Sequence, residues 1–380
     1  MLKVANIIEE ARLGGPQVRV ANVACSIKDE VTTTVIMPCD NSKNFVDKLD
    51  SCKVRYKLFP LTRVTKELKV AVKYIVFTLF EIISLVKYFR IKKFDLIHVS
   101  GGSWQYKGIL AGKISNTKLV WHLNDTSMPW VFRKIFSLLS TMPDAYIFAS
   151  ERTRDYYSGL IKNYKMEFVI PAPVDTEWFS PNVMVDGDKE LIQLWENKTV
   201  IGMVANLSPI KGIDIFIQVA VELNKEFSDF QFVVIGAKSE SQSSLHDKLI
   251  GMLKDLNVTN IKFVGRRNDL RPLLKRIDIY VCSSYAESSP ISVWEAMSMA
   301  KPIVSADVGD VGKYVLSGES GEVVPVADVI AMKDAIIRLF RAPQRMKYFG
   351  MRAREIAIEN LDIKLCADRH IAAYKKILDY

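Results

Sequence analysis

Glu287 and Glu295 are separated by seven residues within Ala286–Pro302, a stretch that runs from a polar loop into a helix. Just before it, Ile277–Cys282 is a short apolar run rich in β-branched and aromatic side chains, which is the pattern of a strand, and Pro290 suits the first turn of the helix that follows. Glu287 then lies in the loop at the carboxyl end of a strand, with Glu295 about one and a half helical turns further on. Open α/β sheets bind ligands at that edge, where two carboxylates could accept hydrogen bonds from sugar or ribose hydroxyls. Taken alone, the spacing favours plainer roles, a solvated helix carboxylate and a capping group.

A second constellation stands upstream in Val204-Ala-Asn-Leu-Ser-Pro-Ile-Lys-Gly212. A strand ends near Val204 and a helix begins around Gly212, so backbone N–H groups and the Lys211 ammonium can converge on an anion. A Lys-Gly pair at a helix start is, by itself, more often a surface feature. His122 closes the apolar strand Lys118–His122 and could be structural or could face a ligand. His98 ends another strand and reads as core or cleft wall. Gly14-Gly15 falls between the first strand and a helix, either letting a backbone approach a phosphate or acceptor closely or forming a tight turn; it lacks the G-x-G-x-x-G fingerprint.

The elements that must position these residues alternate. Strands are expected at Val4–Ile8, Thr33–Met37, Leu96–Val99, Leu119–His122, Ala145–Ala149 and Phe168–Ile170, and again at Val200–Val204, Phe230–Ile235, Ile261–Val264, Ile277–Cys282, Ile303–Ala306 and Gly321–Val324, with helices between. That pattern belongs to parallel sheets covered on both faces. A chain of 380 residues exceeds what one core comfortably supports, so two α/β domains are expected. They are read as 1–170 together with the last helix at 361–380, then a Pro-rich linker or hinge at 171–198, then 199–360. Apolar residues make up 49% and charged residues 25%, which argues against disorder. The five cysteines are scattered without a C-x-x-C, so neither a disulfide framework nor a zinc site is indicated, and a reducing cytoplasmic compartment is expected. The N-terminus, a short apolar run ending in Glu9-Glu10, does not read as a signal peptide.

The net charge of +9 is uneven: residues 51–150 hold 16 Lys or Arg against 5 Asp or Glu. Thr65–Arg90 reads as one helix with Lys66, Lys69, Lys73, Ser84 and Lys87 on one side and Ile75, Phe77, Leu79, Ile82, Ile83 and Val86 filling most of the rest. Lys73 and Glu81 interrupt the apolar run, which speaks against a membrane span. The helix fits an anionic membrane surface or a sheet-covering role, and the two are compatible. No zinc finger, helix-turn-helix or aromatic-basic motif supports a nucleic-acid partner.

Glu287-Ser-Ser-Pro290 with Glu295-Ala-Met297 and Lys301-Pro302 resembles the E-x(7)-E segment of the retaining glycosyltransferases of family 4. Further matches follow in order: Gly14-Gly15, Asp95-Leu-Ile-His98, Ile170–Phe179, Val204–Gly212 and Phe263-Val-Gly265. The resemblance implies a GT-B fold, two Rossmann-like doubly wound domains facing across a cleft, with the C-terminal helix crossing back to the N-terminal domain. It implies a UDP- or GDP-linked sugar donor, transfer with retention to a hydroxyl acceptor, and no cofactor or metal. Lys211 would stabilise the departing diphosphate, with Asn206 beside it at a position where similar enzymes carry Arg. Glu295 would hold the ribose and Glu287 the donor sugar, while the backbone at Ser289, Pro290, Ile291 and Ser292 opens a helix toward sugar or diphosphate. His122 would face the donor sugar, making Glu287, His122 and Lys211 the catalytic set. Other departures are Ser288-Ser289 for Gly and an aromatic residue, Ala172-Pro173 for Asn-Gly, and Val308–Lys313 for a Gly-Gly turn with an acidic residue. Asp186-Gly-Asp188 formally makes a metal-type D-x-D but reads as a solvated acidic turn.

The implied function is therefore a glycosyltransferase of cell-surface polysaccharide or lipopolysaccharide synthesis, acting on a glycan or lipid-linked acceptor, peripheral on the inner face of the plasma membrane. A noncatalytic nucleotide-sugar or glycan-binding subunit is the alternative from another class, and a nucleotide-sugar epimerase the alternative within the fold. Glycosidase chemistry needs two carboxyl groups flanking the scissile bond, unlike two ligand clamps on one lobe.

Overall fold

A computed structural model describes residues 1–62, 68–162, 166–193, 195–237 and 243–379. The chain divides into two units, Met1–Pro173 with Ile363–Tyr380, and Val174–Asp362. Among the described residues the first unit has seven strands: β1 Leu2–Ile7, β2 Val31–Pro38, β3 Arg55–Phe59, β4 Leu96–Val99, β5 Lys118–Leu123, β6 Ala145–Phe148 and β7 Glu167–Val169. They pair in parallel in the order β3-β2-β1-β4-β5-β6-β7. The second unit has β8 Thr199–Val204, β9 Phe230–Ile235, β10 Ile261–Gly265, β11 Ile279–Cys282, β12 Ile303–Ala306 and β13 Gly321–Val324, in the order β10-β9-β8-β11-β12-β13. Both are doubly wound sheets whose order reverses once, between β1 and β4 and between β8 and β11. At such a reversal, connections leave toward opposite faces and open a crevice at the carboxyl edge.

Every expected strand is present within two residues, and one was not foreseen. β3 carries Arg55 and Lys57 and is exposed over most of its length at the sheet edge, so it lacks the apolar run of a central strand. β9, by contrast, is buried along its whole length. The expected final helix is the second of two, Pro343–Leu361 and Ile363–Ile377, interrupted at Asp362.

Side-chain alternation divides the first unit's core between the two faces of its sheet. Ile97, Val99, Leu119, Trp121 and Leu123 point to the face covered by the helices Leu68–Lys92, Tyr106–Ser115 and Trp130–Leu139. Val4, Leu96 and Val120 point to the other, where the last helix packs Cys366, Ala367, Ile371 and Tyr374 against them. This alternation sends Asn6, His98 and His122 to the face of the last helix.

The helix Leu68–Lys92 buries Ile82, Leu85, Val86 and Phe89 against the sheet. Glu81, expected only as a break in the apolar run, is buried as well; it takes an ion pair from the fully buried Lys107 and hydrogen bonds from Thr62. On the outer side Val76, Leu79, Phe80 and Ile83, spaced i, i+3, i+4, i+7, are exposed. Of the expected basic stripe, Ser84 and Lys87 are exposed; Thr65 and Lys66, and the side chains of Lys69, Lys73 and Ile75, lie outside the described residues. No helix among the described residues is long and apolar enough to cross a membrane.

Candidate functional site

In the second unit the turn after β8 and the loop after β11 meet at the point where strand order reverses. A short 3-10 turn, Pro209–Lys211, ends at Gly212, whose left-handed backbone (φ +60°) passes so close to β11 that an added Cβ would fall 1.9 Å from the Ser283 carbonyl oxygen. Only glycine permits that approach. The Ser283 hydroxyl donates to the Gly212 carbonyl (2.8 Å), and the Tyr285 N–H donates to the Ile210 carbonyl (2.8 Å), so the two loops are laced together. The lacing brings Lys211 Nζ to 2.6 Å from Glu287 Oε1, with the Ser284 hydroxyl donating to the same oxygen at 2.8 Å. The ammonium is 26% exposed and the carboxylate 14%, so the pair is half-buried with an open side.

Beyond Glu287 the loop is fixed from beneath. The Asp310 N–H donates to the Ser288 carbonyl (3.0 Å), and Gly309, at φ +54°, runs where a Cβ would lie 2.1 Å from that same oxygen. The Ser289 hydroxyl accepts from the Trp294 indole (3.1 Å), and Pro290 caps the helix Ile291–Ser298. Ile291 thus stands at the helix start. Glu295 is half-buried on this helix, near enough to the buried Tyr280 hydroxyl to add to the upward push that burial gives its pKa. Asn206 is exposed in the turn after β8. The acidic turn divides in two: Asp186 is solvated and pairs with Lys189, whereas Asp188 is only 18% exposed and held by Arg267 at 2.9 Å.

In the first unit His122 is one of three buried histidines. His98 Nδ1 lies 2.7 Å from the Tyr374 hydroxyl, and His98 Nε2 lies 3.1 Å from His122 Nδ1. The His98 and His122 rings stack at 5.2 Å, while His370 lies 6.1 and 6.2 Å from them and bonds its own helix through the Cys366 carbonyl (2.8 Å). Burial is the main cause holding all three in the neutral form, with His370 pushed down to about 3 and the other two well below the ordinary imidazole value. Gly14 begins the helix Gly15–Ser26 and donates its N–H to the Gln17 side chain (3.1 Å), whereas a Cβ on Gly15 would meet nothing within 4 Å. The protein itself does not require glycine at position 15.

His370, Tyr374 and Arg19 were not foreseen. Cys366, His370 and Tyr374 recur every four residues, so the one-face pattern of the last helix was available as a signal. Arg19 offers none: it interrupts an apolar stretch as an ordinary surface charge would.

Both sheets have the Rossmann order, and the last helix packs on the first. The architecture is the GT-B fold. Anabaena HepE, solved with UDP and glucose, superposes with a TM-score of 0.84 at 18% identity, covering 98% of this chain and 99% of that one. Sucrose-phosphate synthase from Thermosynechococcus elongatus gives 0.83 at 16% identity, covering both chains completely. Within this GT-B chain, residues 188–356 match the family model "Glycosyl transferases group 1". The chain is also related in sequence to bacterial transferases. One is the N,N'-diacetylbacillosaminyl-diphospho-undecaprenol alpha-1,3-N-acetylgalactosaminyltransferase of Campylobacter jejuni, 24% identical over 66% of this chain and 65% of that protein. Another is the UDP-Gal:alpha-D-GlcNAc-diphosphoundecaprenol alpha-1,3-galactosyltransferase of Escherichia coli, 23% identical over 68% and 69% respectively. The Campylobacter match therefore spans a little less than two thirds of that relative's own length.

Proposed function

We propose that the chain is a retaining glycosyltransferase that moves a sugar from a UDP- or GDP-linked donor to a hydroxyl on a glycan or lipid-linked acceptor. The observation that carries this reading is the Lys211–Glu287 pair at the reversal point of the second sheet. An ammonium there can take up the negative charge that grows on the leaving diphosphate, and a carboxylate beside it can bind donor hydroxyls. Glu295, further along the helix, serves the ribose. Ser289, Pro290 and Ile291 line the helix start, and Asn206 adds a neutral donor where similar enzymes place a cation. His122, neutral with Nε2 unpaired among the described residues, suits donating a hydrogen bond to a substrate oxygen rather than proton abstraction. Gly14 and Gly15 leave room for acceptor or phosphate. The reading needs no metal, and 171–198 is its hinge.

The relatives whose names include diphospho-undecaprenol favour a lipid-linked acceptor in surface-glycan assembly. The exposed stripe Val76, Leu79, Phe80 and Ile83 supports peripheral attachment to a membrane, where apolar side chains enter the interface and neighbouring basic residues meet anionic lipid. The deciding experiment measures release of nucleoside diphosphate from a donor panel with acceptor membranes, using wild type and Lys211→Ala. Turnover that requires Lys211 is expected. UDP binding without turnover on any donor would instead favour a binding subunit, the reading that Asn206 supports.

A further inference from the structure

Arg19 is a buried cation without a carboxylate partner among the described residues. It is 4% exposed; one nitrogen, Nη2, donates to the Ile170 carbonyl at 2.6 Å, and Nε and Nη1 have no hydrogen-bond partner. Around it stand other buried polar atoms in the same condition: Asn6 Oδ1, Ser100 Oγ and His122 Nε2. All four residues line one partly open cavity at the carboxyl edge of β1, β4 and β5, the reversal point of the first sheet. Their convergence follows from the sheet. Asn6 pairs in register with His98 and shares its face, Ser100 follows β4, His122 lies on the same face of β5, and Arg19 descends from the helix after β1.

The lining has the chemistry of an anion receptor. Burying an unpaired charge or leaving a donor unsatisfied is costly, and five such atoms rarely share one cavity unless something occupies it. With the Tyr374 hydroxyl donating to His98 Nδ1, His98 donates from Nε2 to His122 Nδ1, and His122 Nε2–H is then a donor aimed outward. Arg19, the Ser100 hydroxyl and a turned Asn6 amide add further donors. Burial lowers the guanidinium only to about 10, so it stays charged at neutral pH, while the three histidines around it stay neutral. The cavity volume is about 10 Å³, room for one oxygen.

We infer that this cavity seats one oxygen of an oxyanion, a carboxylate or a phosphate ester, so that the first unit recognises an acidic group on the molecule it binds. Resting on the transferase reading, the inference makes the acceptor an acidic glycan: a uronic-type sugar if the oxyanion is a carboxylate, a phosphorylated one if it is phosphate.

The test is nitrogen-detected NMR of the histidine rings in the full chain, titrated separately with glucuronate, inorganic phosphate and, as the neutral control, glucose. A saturable shift of the His122 signals with at least one anion and none with glucose is expected, and the anion that shifts them names the source. Arg19→Met should weaken that binding by about tenfold or more. Should Arg19→Met fail to fold, Asn6→Asp serves in its place: a carboxylate built into the cavity satisfies Arg19 internally, so it should abolish anion binding and raise the thermal midpoint. No shift with either anion, equal shifts with glucose, or unchanged anion binding in a folded Arg19→Met or Asn6→Asp chain would overturn the inference, leaving the cavity to a water molecule. Because the signal is a ring resonance and not turnover, it stands or falls independently of whether sugar transfer is detected.

Discussion

Lys211 and Glu287 should respond to substitution with opposite signs when UDP is the ligand. In the free protein the ammonium is engaged 2.6 Å from a carboxylate that also accepts from Ser284. A diphosphate bound by Lys211, as proposed, would draw it partly away from Glu287. Lys211→Ala removes a charge-assisted hydrogen bond of about 1.5–3 kcal/mol in a half-buried site, so UDP should bind roughly 10-fold to 150-fold more weakly. Glu287→Gln keeps an acceptor for Ser284 but removes the competing negative charge, a change of about 1 kcal/mol for unit charges about 4 Å apart in a water-like dielectric. UDP should then bind roughly fivefold more tightly, while sugar transfer should fall by about 100-fold if Glu287 positions the donor sugar as proposed. The tightening should vanish when Lys211 is already Ala. Isothermal calorimetry with UDP on the four chains of this cycle reads the affinities, and diphosphate release reads transfer. Thermal midpoints guard against misfolding, since losing this partly exposed pair should cost only about 1 kcal/mol. If both single variants weaken UDP equally, or neither changes it, Lys211 is not the phosphate ligand and the pair is an ordinary ion bridge.

Gly309→Ala should destabilise the chain by at least about 2 kcal/mol in urea unfolding, from a left-handed backbone and a Cβ driven at the Ser288 carbonyl, whereas Gly15→Ala should stay within about 0.5 kcal/mol. An equal effect of the two would contradict the close approach of Gly309 to the Ser288 carbonyl. Stability should fall with acid: three histidines whose folded pKa values are depressed below 6.5 favour folding above that pH, and the benefit is lost as pH falls toward about 3. The limiting slope is about 4 kcal/mol per pH unit for three protons taken up by the unfolded chain alone. Glu9, raised by burial to about 7, and Asp125, also raised by burial, act in the reverse sense, but with two protons against three. Urea midpoints at pH 5.5 and 7.5 that coincide in wild type would refute this, and His370→Asn should narrow the gap. In flotation assays the chain should rise with vesicles containing anionic lipid and Leu79→Glu/Phe80→Glu should not; equal recovery of both with neutral and anionic vesicles would remove the membrane surface.

The legible part of this protein was whatever repeats locally. Buried parallel strands are near-continuous apolar runs, so β8 to β13 could be read one after another, and the reversal of strand order is what lets Lys211 and Glu287 meet although 76 positions separate them. Partnerships made by long-range packing were not legible. Glu81 reads as an interruption until Lys107 arrives from the next helix to neutralise it. His122 reads as isolated because His98 comes from another strand and His370 from the far end of the chain. Asp188 gave no sign of Arg267.

The charges that hid β3 from pattern reading also act on its open side. A border strand offers unpaired N–H and C=O groups that would template growth by a second polypeptide. Arg55 and Lys57 would have to be stripped of water and brought beside their counterparts for that to happen, so electrostatics opposes fibril-like extension of the sheet along this border.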